Sequence, residues 1–302
     1  MKYLSFCLAA MALLAATSCS NESELTVGNQ NEEPQSALTP VTVRVGDFSM
    51  SMEDFSDETT RAAENPGTYN NVKALTLAFY TSDGTSQAYC STQLKADAST
   101  YTTFGSFSLT LPGGSYKMIV LGYNSEVPVV FNSMSDVTFG EDKSRELFCY
   151  TQDVNISVQT PVDLTATLNR IVTKLNVKSS DNLTADVKKI RISLSKGGKS
   201  FNPFTGFATS DAGYVSEVTV TSEVGKTTLC SVNFFIAVEG ETMNVTIATL
   251  DANDNVIFSK VVENVAFKRN RITLLTGAMY DGRATGAFTL ETSWLDQYEE
   301  TF

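Results

Sequence analysis

From residue 41 onward the chain repeats one pattern, apolar side chains at every second position followed by a cluster of turn residues. In "VTVRV", Val41, Val43 and Val45 alternate with Thr42 and Arg44, the two-residue period of a strand with one buried face. "VKALTLAFY" runs into Ser82-Asp83-Gly84 and then "SQAYCSTQL", a hairpin signal. "FGSFSLTL" runs into Pro112-Gly113-Gly114 and then "SYKMIVLGY", whose unbroken Met118 to Leu121 predicts a strand covered on both faces. "RELFCY" and "VNISV" close this half. "LTATLNRIVTKLNV" opens a second series, and "VKKIRISLS", "TTLCSVNFFIAV", "MNVTIATL", "NVIFSKVVE", "RITLLTG" and "GAFTLETSW" continue it. Nowhere does a 3.6-residue stripe last three turns. The expected class is therefore all-β, with two tandem β-sandwich domains at 40–160 and 161–302 divided near Thr160-Pro161. The first strand of the N-terminal domain is placed at 41–48, and a loop at 49–67 follows it.

The first eighteen residues read differently: Lys2 supplies a positive end, Tyr3 to Leu14 an apolar run, and Ala15 to Ser18 small residues. This is the pattern of an export signal, too short to span a bilayer, and no later window is apolar enough to cross as a helix. Cys19 follows directly, which resembles the lipobox of bacterial lipoproteins, where the thiol is acylated and becomes the mature N-terminus. Ala16 stands where that family prefers Leu or Val. Glu22 and Glu24 behind the cysteine look like the acidic tag of lipoproteins sent to the outer face of the outer membrane. Residues 19–39 are polar and without period, as in a tether.

Charge and composition exclude several chemistries. The formal charge of −12 argues against nucleic acid as a partner. Residues 19–61 hold nine acidic and two basic side chains, a net −7 against −6 for residues 62–302. Histidine is absent, which removes the commonest general base and the commonest transition-metal ligand. Outside the signal region, Cys90, Cys149 and Cys230 have no C-x-x-C spacing and are expected to be buried free thiols. Ser195 to Ser200 ends like a phosphate loop, but Ser193 occupies the position of its first glycine and no helix follows. Asp251, Asn253 and Asn255 imitate the start of a calcium loop, but Val256 and Val262 stand where it needs Gly and Glu, so a hairpin turn is expected. Tyr69, Tyr80, Tyr89, Tyr101, Tyr116 and Tyr123 are read as core or cross-strand aromatics before a sugar-stacking surface. No catalytic residue, metal site or cofactor site emerges, and the chain is expected not to be an enzyme.

The layout as a whole resembles the fimbrillin family, the subunits of type V pili of the outer-membrane lipoprotein type. The resemblance is carried by the order of its pieces: lipobox, acidic tether, one isolated strand, Thr60-Arg61-Ala62, "LTLAFYTSDG", "LPGGSYKMIVLGYN", "LNRIVTKLNV", and "KRNRITLLTG" followed by Trp294. It implies transthyretin-like sandwiches and assembly by donor-strand exchange. A protease would cut after Arg61, the strand bearing Val41, Val43 and Val45 would leave, and a strand of a neighbouring subunit would fill the gap. It implies as partners other pilus subunits, the outer membrane through lipid on Cys19 before the cut, and a host or bacterial surface ligand. Phe288, Leu290, Thr292 and Trp294 share one face of a C-terminal strand that would be either a donor or docked on its own chain. Two other roles stay open: an uncut lipid-anchored pilus anchor, and a monomeric surface lipoprotein that binds glycans.

Overall fold

The computed structural model describes residues 37–49, 69–141, 143–221, 224–280 and 288–291. As the alternation predicts, the chain is all-β, and its described residues include a three-residue helical turn, Ala98–Thr100. In chain order the first strands are β1 (Leu38–Ser49), β2 (Ala74–Thr81), β3 (Gln87–Leu94), β4 (Ser106–Pro112), β5 (Gly114–Tyr123), β6 (Val129–Ser133), β7 (Asp136–Phe139), β8 (Leu147–Ile156) and β9 (Val162–Arg170). They are followed by β10 (Thr173–Ser179), β11 (Lys189–Leu194), β12 (Ser200–Asn202), β13 (Phe207–Ala208), β14 (Tyr214–Thr219) and β15 (Leu229–Phe234). Last come β16 (Thr242–Leu250), β17 (Val256–Ala266), β18 (Ile272–Gly277) and β19 (Thr289–Glu291).

Seven strands of the first lobe form a sheet in the order β3-β2-β5-β8-β9-β1-β4. The link between β8 and β9 is narrow, since only Phe148 with Arg170 and Cys149 with Asn169 are paired. On either side of it the sheet turns into two leaves, β3-β2-β5-β8 and β9-β1-β4, whose inward side chains bury one core. In the second lobe, sheets β15-β10-β18-β19 and β14-β11-β16-β17 bury another.

The two lobes repeat one path. In each, the opening strand (β1 or β10) lies between an antiparallel neighbour (β4 or β15) and a parallel one (β9 or β18). In each, the facing leaf runs β3-β2-β5-β8 or β14-β11-β16-β17, all antiparallel. Each lobe also carries an inserted hairpin, β6–β7 or β12–β13, and the two hairpins join in a four-stranded sheet, β13-β12-β7-β6. A third core lies beneath it: the rings of Phe201 and Phe235 of the second lobe lie 4.8 Å apart between centroids, tilted by 30°, and Tyr123, Phe139 and Ile119 of the first lobe belong to the same cluster. β5 explains why its apolar run is unbroken. Met118 and Val120 face the core of the first lobe, while Ile119 and Leu121 face the shared one.

The division expected at 160/161 falls within the first lobe. Val162–Arg170, read from sequence as the start of the second domain, pairs in parallel with β1 along eight positions, from Val41↔Val162 to Ser49↔Asn169. Its inward Ala166 and Leu168 complete the first core, and β10 opens the second lobe.

Candidate functional site: the bed of the first strand

β1 is the middle strand of its leaf, so its backbone is paired on both sides, with β4 from Leu38↔Pro112 to Arg44↔Ser106 and with β9. Val41, Val43 and Val45 point inward and are 1%, 0% and 7% exposed. At Gly46 the strand gains one residue relative to β9, a β-bulge between Val45↔Ala166 and Asp47↔Thr167. The bulge resets the alternation and brings Phe48 inward, where it is wholly buried. A reading of strict period two misses Phe48. The available signal was a glycine interrupting the run, followed two residues later by an aromatic.

At its start β1 is held by Thr39, whose hydroxyl donates to the Ser157 carbonyl and accepts from the Gln159 N–H, both at 3.2 Å. On the outer face Arg44 and Asp163 form an ion pair at 3.3 Å with both side chains largely exposed. At its far end the Phe48 ring lies 4.8 Å from Phe148 and 5.8 Å from Tyr69, measured between centroids. Tyr69 is where the described chain resumes.

Behind those rings sits a buried polar cluster that the sequence did not announce. Arg170 is ion-paired with Glu146 at 2.6 Å, and its guanidinium lies 4.8 Å over the Phe148 ring. The Tyr69 hydroxyl donates to Glu146 Oε1 at 2.9 Å and accepts from Arg170 Nη2 at 3.1 Å. Burial, then the neighbouring Glu146 charge, pushes the Tyr69 hydroxyl up to about 12. Lys95 Nζ adds a bond to the Tyr69 carbonyl at 3.0 Å. The chain entering β2 is thereby pinned by polar contacts that do not involve β1.

Cys19 and Arg61 lie outside the described residues, as do Thr292 and Trp294. β19 pairs antiparallel with β18, placing Leu290 opposite Leu275, and the Phe288 ring packs on Gly277 and the second core. Cys149 and Cys230 are buried free thiols, with burial pushing them up to about 12 and about 11 respectively. Cys90 departs from expectation: it is exposed on β3, an edge strand. Four of the six singled-out tyrosines, Tyr69, Tyr80, Tyr116 and Tyr123, are buried and form no exposed stacking surface. Asp251 closes the β16–β17 hairpin by accepting the N–H groups of Asn253 and Asn255 at 2.8 and 2.9 Å. Among the described residues no group of three acidic, Cys or His side chains is placed to hold a metal. At the β8–β9 link an open cleft of about 600 Å³ is lined by Tyr150, Asn169, Phe204, Glu239, Arg269 and Asn270.

Solved structures overlap with the chain at low identity. A candidate adhesin from Bacteroides ovatus is 11% identical, with TM-score 0.48 over 80% of this chain and 88% of its own. The fimbrial anchor protein Mfa2 from Porphyromonas gingivalis is 12% identical, with TM-score 0.44 over 84% and 95%. A fimbrial assembly protein from Parabacteroides distasonis is also 12% identical, with TM-score 0.39 over 84% and 94%. No curated protein matches the chain. The family of unknown function DUF6562 matches residues 39–301, from the opening residues of β1 onward, and the chain belongs to that family.

Proposed function

We propose that this chain is a structural subunit of a cell-surface pilus that supports adhesion rather than catalysis. It is exported as an outer-membrane precursor lipidated on Cys19 and assembles by strand exchange once a cut after Arg61 frees β1. The observation that carries the reading is the setting of β1. It is a central, core-forming strand, yet its covalent link to β2 runs through the acidic stretch that contains Arg61, and the Tyr69 hydroxyl is anchored by groups outside β1.

The energetics favour refilling the vacated slot. Loss of Val41, Val43 and Val45 exposes apolar surface worth roughly 4–6 kcal/mol, and Phe48 adds about 2–3 kcal/mol. β4 and β9 would face each other about 9–10 Å apart, two strand spacings, each with a row of unpaired N–H and C=O groups. A slot of that width takes one extended strand, and a strand from a second subunit supplies both ladders. Loss of residues 19–61 also lowers the negative charge that one acidic subunit presents to the next.

The test is made on protein extracted from the native cell surface. The expected mature chain begins at Ala62, carries no acyl group and migrates in part as high-mass polymers. Arg61→Ala should accumulate as a lipidated monomer. Recovery of wild-type protein with Cys19 acylated and residues 19–61 intact overturns the cut and assigns the chain to an anchor role. The cleft holding Tyr150 and Phe204 favours a second reading, glycan binding by a monomer. Glycan-array signal that is lost in Phe204→Ala, together with no polymers, would establish it.

A further inference from the structure

The cleft at the β8–β9 link is walled by both lobes. β8 and β9 pair only at Phe148↔Arg170 and Cys149↔Asn169, and past that link they diverge, so Tyr150 and Asn169 stand at the rim of the first lobe. The opposite wall is Phe204, Glu239, Arg269 and Asn270 of the second lobe, and its parts are held in place. Cys149 Sγ donates to the Pro203 carbonyl at 3.4 Å, and the Gly206 N–H donates to the Asn202 carbonyl at 2.8 Å, closing the loop that carries Phe204. Gly206 has a φ of +72°, and a Cβ there would lie 2.6 Å from Arg269 Nη1, so glycine is what lets the guanidinium lie against the loop. Arg269 Nη1 then donates to the Thr205 carbonyl at 2.9 Å, while the guanidinium covers the Phe207 ring at 4.8 Å and lies 3.8 Å from Glu239. Asn270 takes the left-handed conformation at φ 58°, its N–H donating to the Val172 carbonyl at 3.0 Å and its side-chain oxygen accepting from Arg170 Nη1 at 3.4 Å.

The chemistry of this surface narrows what fits it. Its charges cancel, since Arg269 stands beside Glu239 and Arg170 at the floor is already ion-paired with Glu146. A site without net charge, in a chain of formal charge −12, offers a phosphate, sulfate or carboxylate group no excess of cations. An aliphatic ligand is disfavoured as well, because it would desolvate the polar lining without replacing its hydrogen bonds. What the cleft does present is two carboxamides, a carboxylate and a guanidinium, planar groups that offer paired donors and acceptors to adjacent hydroxyls. Beside them are the Phe204 ring, 36% exposed, and the half-buried Tyr150, apolar faces against which the C–H face of a sugar ring packs. The volume of about 600 Å³ is that of a small-molecule site. We propose that the cleft between the lobes binds a neutral oligosaccharide, with Phe204 packed on a sugar ring and Asn169, Asn270, Glu239 and Arg269 bonded to its hydroxyls. This rests on the glycan reading of the cleft given above and adds to it the class of glycan and the groups that hold it. None of these residues lies on β1, so the proposal applies to a monomer and to a polymerised subunit alike.

The test passes the purified full chain over immobilised dextran, yeast mannan, arabinoxylan and asialo N-glycans as neutral probes, and over polygalacturonate and chondroitin sulfate as anionic ones. At least one neutral probe should retain the chain, and neither anionic probe should. Phe204→Ala and Asn169→Ala should each weaken that retention by more than about tenfold. Both side chains are exposed, so the melting temperature of each variant should stay near that of the parent chain; if Phe204→Ala does not fold, Asn169→Ala carries the same test. Arg191→Ala, which alters the outer face of β11, should leave retention unchanged. Because the ligand is uncharged, raising the ionic strength should leave binding nearly constant. Retention on a neutral probe that survives both cleft variants overturns the cleft while leaving glycan binding standing. Retention on the anionic probes alone, falling as salt rises, overturns the neutral class. No retention on any probe overturns this proposal and the glycan reading together, and leaves the pilus reading untouched.

Discussion

The two lobes follow the same strand path but differ in how the opening strand is attached. β10 is tied at both ends: Ile171 and Val172, both buried, join it directly to β9, and at its far end Ser179 accepts from the Thr228 N–H at 2.7 Å. Asp181, two residues on, accepts the N–H groups of Met279 and Tyr280 at 2.9 and 2.7 Å. Extracting β10 would pull both lobes apart. β1 occupies the equivalent place, parallel to one neighbour and antiparallel to the other, but residues 50–73 separate it from β2 and Tyr69 is pinned by side chains of β9 and the β8 approach. One topology thus serves twice, once closed by its own connections and once with an opening strand whose covalent link to the next strand is a single long segment.

The sharpest way to break this comparison is at the closure of the first lobe. Glu146→Ala leaves the Arg170 guanidinium buried beside Phe148 without its carboxylate, and the expected destabilisation is about 3–5 kcal/mol. The pair Glu146→Gln with Arg170→Met removes both charges and should recover most of that loss. Chemical denaturation of the uncut chain measures both. If Glu146→Ala costs under about 1 kcal/mol, Tyr69 is not held as described, and the return of the chain after the cut site is not independent of β1.

A matched pair of core truncations tests the opening strands themselves. Val43→Ala and Val177→Ala each empty a fully buried site, and each should destabilise the uncut chain by about 2–3 kcal/mol. After a cut at Arg61 the two should diverge. Val43→Ala should speed the loss of β1 from the slot, read by gel filtration of the released fragment, and Val177→Ala should leave that rate unchanged. Equal effects would mean that the lobes unfold together and that β1 is no more exchangeable than β10.

Much of this was legible in the residues. Period two with turn punctuation gives the all-β class, and the unbroken run in β5 gives a strand covered on both faces because two cores need it. The boundary was not legible. Parallel pairing of β9 with β1 joins residues about 120 positions apart, and nothing in "LTATLNRIV" distinguishes the last strand of one lobe from the first of the next. Phe48 was hidden by the bulge at Gly46, which shifts the alternation by one residue. Glu146 and Arg170 were hidden because a buried ion pair looks, in sequence, like two ordinary charges at opposite ends of neighbouring strands. The shared hairpin sheet was hidden for the reason that hid β9: its pairing, Ser200↔Thr138 and Phe201↔Val137, crosses between lobes.

A smaller effect comes from two buried hydroxyls, one in each lobe. Burial, with the Glu146 charge second, raises Tyr69 from 10.0 to about 12, and burial raises Tyr280 from 10.0 to about 12. Both are held neutral in the fold more strongly than in the unfolded chain, so their contribution is complete below pH 10 and is lost as pH rises from about 10 through about 12. The melting temperature should fall across that window. Tyr280→Phe, which strands the Thr228 hydroxyl, should cost about 1–2 kcal/mol at neutral pH, and Tyr69→Phe a similar amount. The double variant should show a shallower alkaline fall, and an unchanged fall would assign it to other groups.

The smallest expected effect concerns the outer face of β1. Arg44 and Asp163 bridge the same two strands as the buried valines, at 3.3 Å, but their side chains are 58% and 70% exposed. Water and salt screen such a pair, and ordering two flexible side chains offsets most of the remaining attraction, so Arg44→Ala should change the stability of the uncut chain by under about 1 kcal/mol. The same limit should hold for Glu217→Ala in the second lobe, which removes a surface pair with Arg191 at 2.5 Å, because there too both partners are partly exposed. If β1 is retained by its inward side chains, raising the ionic strength after a cut at Arg61 should leave its release rate nearly constant. A release rate that climbs steeply with salt would place the hold on β1 at its surface charges and not at its buried valines and Phe48.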